Sequence, residues 1–246
     1  MKLYSVIQIG EYHINHCEDF LYIGEIGNRK MICAVMDGCT NGTESFFASA
    51  LVGKLLRKII KGYNYKEFYE IKDFTKTNDD YIKSILNDLV TELKIAKNQL
   101  MLEQNELLTT LIIFVLDKND KNGVVLVVGD GLICINGQIT EFDQQDKPDY
   151  VGYHLNENFE TWYNNQKQKI HFENINDISI STDGILMFKQ VVKSNSTDKI
   201  DPIHFLIIDT SNLEKENMLE LKMKELESVF GYKPTDDLAL IRLINN

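Results

Sequence analysis

Met31-Ile32-Cys33-Ala34-Val35-Met36-Asp37-Gly38 is an apolar run that stops at Asp-Gly, and the pattern recurs along the chain. Val124 to Gly131 (VVLVVGDG) and Ile178 to Gly184 (ISISTDG) end the same way, whereas Thr235 to Leu243 (TDDLALIRL) opens with an acidic pair. A further acidic pair, Glu18-Asp19, leads into the short apolar run Phe20 to Ile23. Runs of this length and β-branched content predict strands. Taken singly, Asp-Gly after a strand is a hairpin signal, because Gly supplies positive φ without steric cost. Recurrence at separated places predicts more: strands lying side by side gather their carboxylates at one sheet edge, and clustered oxygen donors without a basic partner suit a hard divalent cation.

Working outward, Leu3 to Ile9, Phe20 to Gly24 and Lys30 to Met36 read as strands, with a turn at Gly27-Asn28. Thr43 to Ile60 has apolar residues at helical spacing, with Thr43 or Ser45 as cap and Gly62 as stop, and a second helix spans about Asp79 to Glu103. Tyr63 to Asn78 shows no clear period. Leu107 to Leu116 is a continuous apolar strand that pairs with Val124 to Val128, and Ile133 to Ile135 and Gln138 to Phe142 extend the meander. Glu141 to Tyr163 reads as polar loop, and Ile185 to Val192 as a helix or irregular turn. Lys169 to Phe172 and Asp177 to Thr182 are strands, Phe205 to Ile208 is apolar without an assignment, and Leu213 to Phe230 is a charged amphipathic helix ended by Gly231. The last strand runs through Leu238 to Leu243. Strands grouped in meanders, without βαβ alternation, predict an α+β fold with antiparallel sheets in one domain over residues 1–246.

With 43% hydrophobic and 10% aromatic residues, the chain is not wholly disordered. No apolar stretch approaches the ~20 residues of a membrane span, and MKLYSVIQIGEYH lacks a signal peptide's apolar core, so the sequence predicts a cytosolic protein with no membrane partner. A net charge of −11 argues against nucleic acid as the main partner; the basic run Lys54 to Lys61 sits on an amphipathic helix and reads as a solvated face. Cys17, Cys33, Cys39 and Cys134 have no CxxC spacing and are expected as reduced thiols. His13-x-x-His16-Cys17 lacks a second ligand pair for zinc. No Arg follows Cys39 or Cys134 at the spacing of a cysteine-phosphatase loop, and neither a Gly-x-x-x-x-Gly-Lys loop nor a Gly-x-Ser-x-Gly elbow is present.

The order of the acidic motifs resembles the metal-dependent Ser/Thr protein phosphatases of the type 2C family. An early acidic pair precedes strand-Asp-Gly and two long helices; a Gly-Asp-Gly hairpin, Ser-Thr-Asp-Gly and a final Asp-Asp follow, together covering roughly Val6 to Leu243. The resemblance implies two antiparallel sheets packed face to face with helices outside, an α-β-β-α sandwich. It implies two Mn²⁺ or Mg²⁺ ions bridged by Asp37, with the Gly38 carbonyl, Glu18 or Asp19, Asp183 and Asp236 completing the ligands, and Asp130 and Asp237 behind them. A water shared by the ions would attack a phosphoserine or phosphothreonine of a protein substrate, such as the target of a Ser/Thr kinase. The chain departs from the family at three places. Cys39-Thr40-Asn41-Gly42 stands where His-Gly-Gly often follows the bridging Asp-Gly, Ile14 falls near the position of a phosphate-clamping Arg, and Met187 replaces a further acid. His13 or His16 is the candidate to replace that Arg. The competing expectation is a catalytically weak relative that keeps the scaffold to bind a phosphoprotein or other partner.

Overall fold

The computed structural model describes residues 1–69, 76–145, 147–191 and 200–245. The predicted strands assemble into two antiparallel five-stranded sheets. One has the order β2 (Asp19–Ile26), β3 (Lys30–Asp37), β4 (Leu111–Asp117), β5 (Asn122–Val128) and β8 (Lys169–Phe172). The other has the order β1 (Lys2–Gln8), β12 (Leu238–Ile244), β9 (Asp177–Ser181), β6 (Gly131–Ile135) and β7 (Gln138–Phe142). A small ribbon pairs β10 (Phe188–Gln190) with β11 (Tyr232–Pro234).

Successive side chains of a strand point to opposite faces, and this alternation builds the layers. From β3, Cys33 and Val35 meet Ile178, Ile180, Ala239 and Ile241 of the facing sheet. The alternate residues Ile32, Ala34 and Met36 pack beneath α1 (Ser45–Tyr69) and α2 (Asn78–Leu100). Across the molecule, Tyr4, Leu132 and Leu240 lie under α4 (Pro202–Ile207) and α5 (Met218–Ser228). The result is the expected helix–sheet–sheet–helix sandwich. Burial on both faces explains why β4 reads as an uninterrupted apolar run.

Several boundaries differ from the sequence expectation. α1 continues through Gly62, which is exposed and has no heavy atom within 4 Å of where a Cβ would stand. Gly in a helix interior costs roughly 1 kcal/mol relative to Ala, too little to stop a helix whose next residue, Tyr63, still packs on the core. α2 begins one residue early, at a capping box between Thr77 and Asp80, and ends at Met101 in the left-handed conformation, φ 53°. The strand expected from Leu107 starts at Leu111, after a 3₁₀ turn over Gln104–Leu107. The polar stretch after Glu141 holds a 3₁₀ turn, Val151–Asn156, and α3 (Phe159–Asn164), which is too short to display a period. Phe205 to Ile208 falls mostly in α4, whose cap Asp201 accepts from the Ile203 N–H. The charged helix shortens to Met218–Ser228. After Asp183 a 3₁₀ turn, Asp183–Leu186, leads into β10. Val192 and positions 70–75 of the Tyr63 to Asn78 stretch lie outside the described residues.

Candidate functional site

The ladders bring the acidic ends together. β2 pairs with β3 so that Asp19 stands opposite Asp37. In the facing sheet Leu240 is opposite Ser181, so Thr182-Asp183 and Asp236-Asp237 leave β9 and enter β12 at one edge. A side-chain hydrogen bond joins the two sheets there: Thr182 Oγ1 donates to Asp19 Oδ2 at 2.6 Å. The same hydroxyl oxygen accepts from the Ala239 N–H at 2.9 Å, which fixes its direction.

Asp19 is 4% exposed, and its other oxygen, Oδ1, is buried without a hydrogen-bond partner. Asp37 is anchored through its backbone: its N–H donates to Thr110 Oγ1 at 3.1 Å, and its carbonyl accepts from the Thr110 N–H and from Thr109 Oγ1, each at 2.8 Å. Its carboxyl therefore remains for the cluster. Burial pushes the Asp37 carboxyl well above the usual range, and the charges of Asp19, Asp183 and Asp236 add to it. Burial likewise raises Asp19, to about 8, against the lowering effect of the Thr182 hydroxyl and of the adjacent Asp37 carboxyl. Asp183 is pushed up to about 6 by burial and then by the charges of Asp236 and Asp130. None of the dominant influences on these three groups is a cation.

Around this centre, Asp237 ties three segments together. It is 2% exposed and accepts from the Gly10 N–H at 2.7 Å and the Glu18 N–H at 2.5 Å, with His13 Nδ1 2.8 Å away. His13 Nε2 lies 3.6 Å from Asp236 Oδ1. Asp236 is more open, and its Oδ1 accepts from the Asp237 N–H at 2.9 Å. Asp130, in the turn between β5 and β6, accepts from the Gln144 N–H at 2.8 Å.

Of the Glu18-Asp19 pair, Asp19 joins Asp37. The Glu18 carboxylate instead accepts from Thr40 Oγ1 at 2.8 Å and from Ser45 Oγ. Of the two histidines, His13 approaches the carboxylates, whereas the His16 ring stacks on Phe46 with centroids 4.4 Å apart. Ile14 is 88% exposed. Met187 turns outward, and its carbonyl accepts from Thr235. Two glycines are dictated by contact rather than by φ. A Cβ on Gly184 would lie 1.8 Å from the Asp237 carbonyl oxygen, and one on Gly38 would lie 2.1 Å from that of Ser45. Thr182, Thr109 and Thr110 were not singled out from the sequence; the position of Thr182 directly before Asp183 is the only signal it carries. Among the described residues, no three acidic, imidazole or thiol groups already close around an ion-sized point, and no helix is long and apolar enough to cross a membrane.

Residues 9–226 match the family Protein phosphatase 2C. The chain belongs to the protein phosphatase 2C family. Its fold is similar to other phosphatase 2C structures at low identity. It resembles the phosphatase domain and regulatory-domain fragment of SpoIIE from Bacillus subtilis, with a TM-score of 0.57 and 16% identity over 99% of this chain. The chain spans 63% of that SpoIIE fragment. The serine/threonine phosphatase Stp1 from Staphylococcus aureus aligns with a TM-score of 0.61 and 12% identity, covering 99% of this chain and 94% of Stp1. RsbX in complex with magnesium aligns with a TM-score of 0.53 and 16% identity, covering 97% and 92%. No curated protein matches the sequence. These likenesses establish the phosphatase 2C fold; the family match, over residues 9–226, takes in the whole β2–β3–β4–β5–β8 sheet with α1 and α2, and strands β6, β7 and β9 of the other sheet.

Proposed function

We propose that the chain hydrolyses phosphoserine and phosphothreonine in proteins with two bound divalent cations, Mn²⁺ or Mg²⁺. The observation that carries this reading is the Asp19–Asp37 rung with Asp183 and Asp236 beside it, including a buried Asp19 oxygen that no donor satisfies. Buried carboxylates that raise one another's pKa are unfavourable as anions, and a hard cation with oxygen ligands removes that cost. Family membership supports the same reading, and the magnesium in the RsbX complex is consistent with it.

Asp19, Asp37, Asp183, Asp236 and the Gly38 carbonyl would hold the ions, after side-chain rotation toward a common centre. Thr182 would keep Asp19 in place, and Asp237 would hold the loops of Gly10, His13 and Glu18 against the cluster. Glu18, bound to Thr40 and Ser45, braces the adjoining turn. The ions would supply positive charge for the phosphoryl oxygens and lower the pKa of water toward neutrality. No protein nucleophile is then required, and Cys39 has the Tyr150 hydroxyl rather than a general base beside it.

The test is hydrolysis of p-nitrophenyl phosphate and a phosphothreonine peptide with Mn²⁺ or with EDTA. The proposal expects turnover with Mn²⁺ and none with EDTA. A second reading has one observation in its favour: exposed Ile14 offers no charge to a phosphate where the family carries an Arg. Tight Mn²⁺ binding without hydrolysis of any phosphopeptide would favour that reading, a phosphoprotein-binding regulatory module.

A further inference from the structure

β1 ends its sheet: β12 pairs with one side of it, and no described strand pairs with the other. Every second residue of an edge strand leaves its N–H and C=O free, and proteins usually protect such edges with charges, prolines or bulges. The other three sheet edges carry charge, at Glu141 in β7, Asp19 and Glu25 in β2, and Lys169 in β8. β1 has one charge, Lys2 at its first position, whose Nζ donates to the Leu213 carbonyl; from Leu3 to Gly10 the segment has neither a charge nor a proline. Ile7 and Ile9 are 42% and 37% exposed on it.

This edge opens into a groove rather than onto a flat surface. Leu21 forms one wall, and Glu220, Met223, Lys224 and Glu227 of α5 form the other, enclosing about 440 Å³. A second depression shares Gln8, Met223 and Glu227 with the first and continues to Ile14. A third shares His13 and Ile14 with the second and reaches Glu18 and Ser45. The three depressions adjoin one another through these shared residues and form a trough-like series from the free edge of β1 toward Glu18. Five carboxylates line it, those of Glu11, Glu18, Glu44, Glu220 and Glu227, against the ammonium groups of Lys224 and Lys233. Lys233 pairs with Glu11 and Glu227, which leaves, among the described residues, Glu18, Glu44 and Glu220 without a basic partner along the trough and Lys224 as the one lysine there without an acidic one.

We propose that this trough is the docking rail for an extended, lysine- or arginine-bearing segment of the phosphoprotein substrate, which pairs with β1 as an added strand. Backbone pairing supplies affinity, exposed Ile7 and Ile9 accept alternate apolar side chains, and the acidic walls select basic ones. A seven-residue strand at about 3.3 Å per residue covers about 23 Å, enough for a segment rather than a single side chain. The naming of the occupant as substrate rests on the phosphatase reading above.

The test uses a fluorescein-labelled twelve-residue peptide of alternating Lys and Val with phosphothreonine at one end, made in both orientations, against a four-residue phosphothreonine peptide. In EDTA, so that nothing turns over, one orientation of the long peptide should bind at least tenfold more tightly and slow amide hydrogen exchange at residues 3–9. Ile7→Lys and the Glu220→Lys/Glu227→Lys double variant should lose that preference while keeping wild-type hydrolysis of p-nitrophenyl phosphate in Mn²⁺. Equal binding of long and short peptides, or no slowing at residues 3–9, would overturn the rail even in an active phosphatase. Protection of residues 3–9 by self-association without peptide would overturn it in favour of a second copy of the chain. Peptide-dependent protection with no turnover of any phosphate ester would leave the rail standing and remove the phosphatase reading instead.

Discussion

Asp19 and Asp37 face each other across the terminal rung of the β2–β3 ladder, so backbone pairing holds two acidic side chains side by side at the edge of a buried sheet. Without a cation this is a strained electrostatic arrangement, and three consequences can be measured.

The first is stabilisation by metal. A ligand that binds only the folded state at a hundred times its Kd adds about 2.7 kcal/mol. For a chain of this size that corresponds to a rise in Tm of roughly 5–10 °C. Thermal unfolding with Mn²⁺ or Mg²⁺ should show the rise in wild type, and Asp37→Asn should lose most of it while being no less stable than wild type in EDTA. Equal shifts in both proteins would place the cation elsewhere.

The second is pH dependence in EDTA. Asp19 at about 8, Asp183 at about 6 and Asp37 above the usual range each bind protons more readily folded than unfolded. A raised carboxyl makes the folded state lose stability as pH rises from its unfolded value near 4 through its folded value. The metal-free Tm should therefore fall between pH 5 and pH 8, and less steeply in Asp37→Asn. A Tm that climbs over this interval in wild type would contradict the clustering.

A contrasting acid limb comes from the opposite end of β4. Burial alone would raise Asp117, but hydrogen bonds from Lys30, the Asp120 N–H, Arg29 and the Asn119 N–H hold it at about 2. A lowered carboxyl contributes stability that is present above pH 4 and lost as pH falls toward 2. Asp117→Asn should cost about 3 kcal/mol at pH 7 by leaving the buried Lys30 ammonium, still bonded to Asn78, without its counter-ion, and should flatten the acid limb in denaturant titrations.

Thr182 gives a third consequence of the cluster. Its hydroxyl holds Asp19 from the facing sheet, so Thr182→Val should weaken Mn²⁺ binding about 10–100-fold by calorimetry, and Thr182→Ser should restore most of it. Unchanged affinity in Thr182→Val would show that Asp19 needs no such support.

Much of this was readable from residue order. The acidic strand termini at Asp37, Asp183 and Asp236 and the two-sided burial of β4 follow from pattern, and they suffice for an α+β fold with antiparallel sheets; the face-to-face layering came from the family resemblance. The choice between Glu18 and Asp19 did not follow, because adjacent strand residues point to opposite faces and only the pairing with β3 decides which one meets Asp37. The role of His13 depends on Asp237, far along the chain, and Thr182 acts across two sheets on Asp19; neither partner is signalled locally. α3 and α4 escaped because six residues are too few to show a helical period.

The most direct test of the central claim is phosphatase activity toward a phosphothreonine peptide in Mn²⁺, compared among wild type, Asp37→Ala and Cys39→Ser. The account predicts measurable turnover in wild type, a loss of at least a hundredfold in Asp37→Ala, and near-wild-type turnover in Cys39→Ser. Full activity in Asp37→Ala, or none in Cys39→Ser, would contradict it.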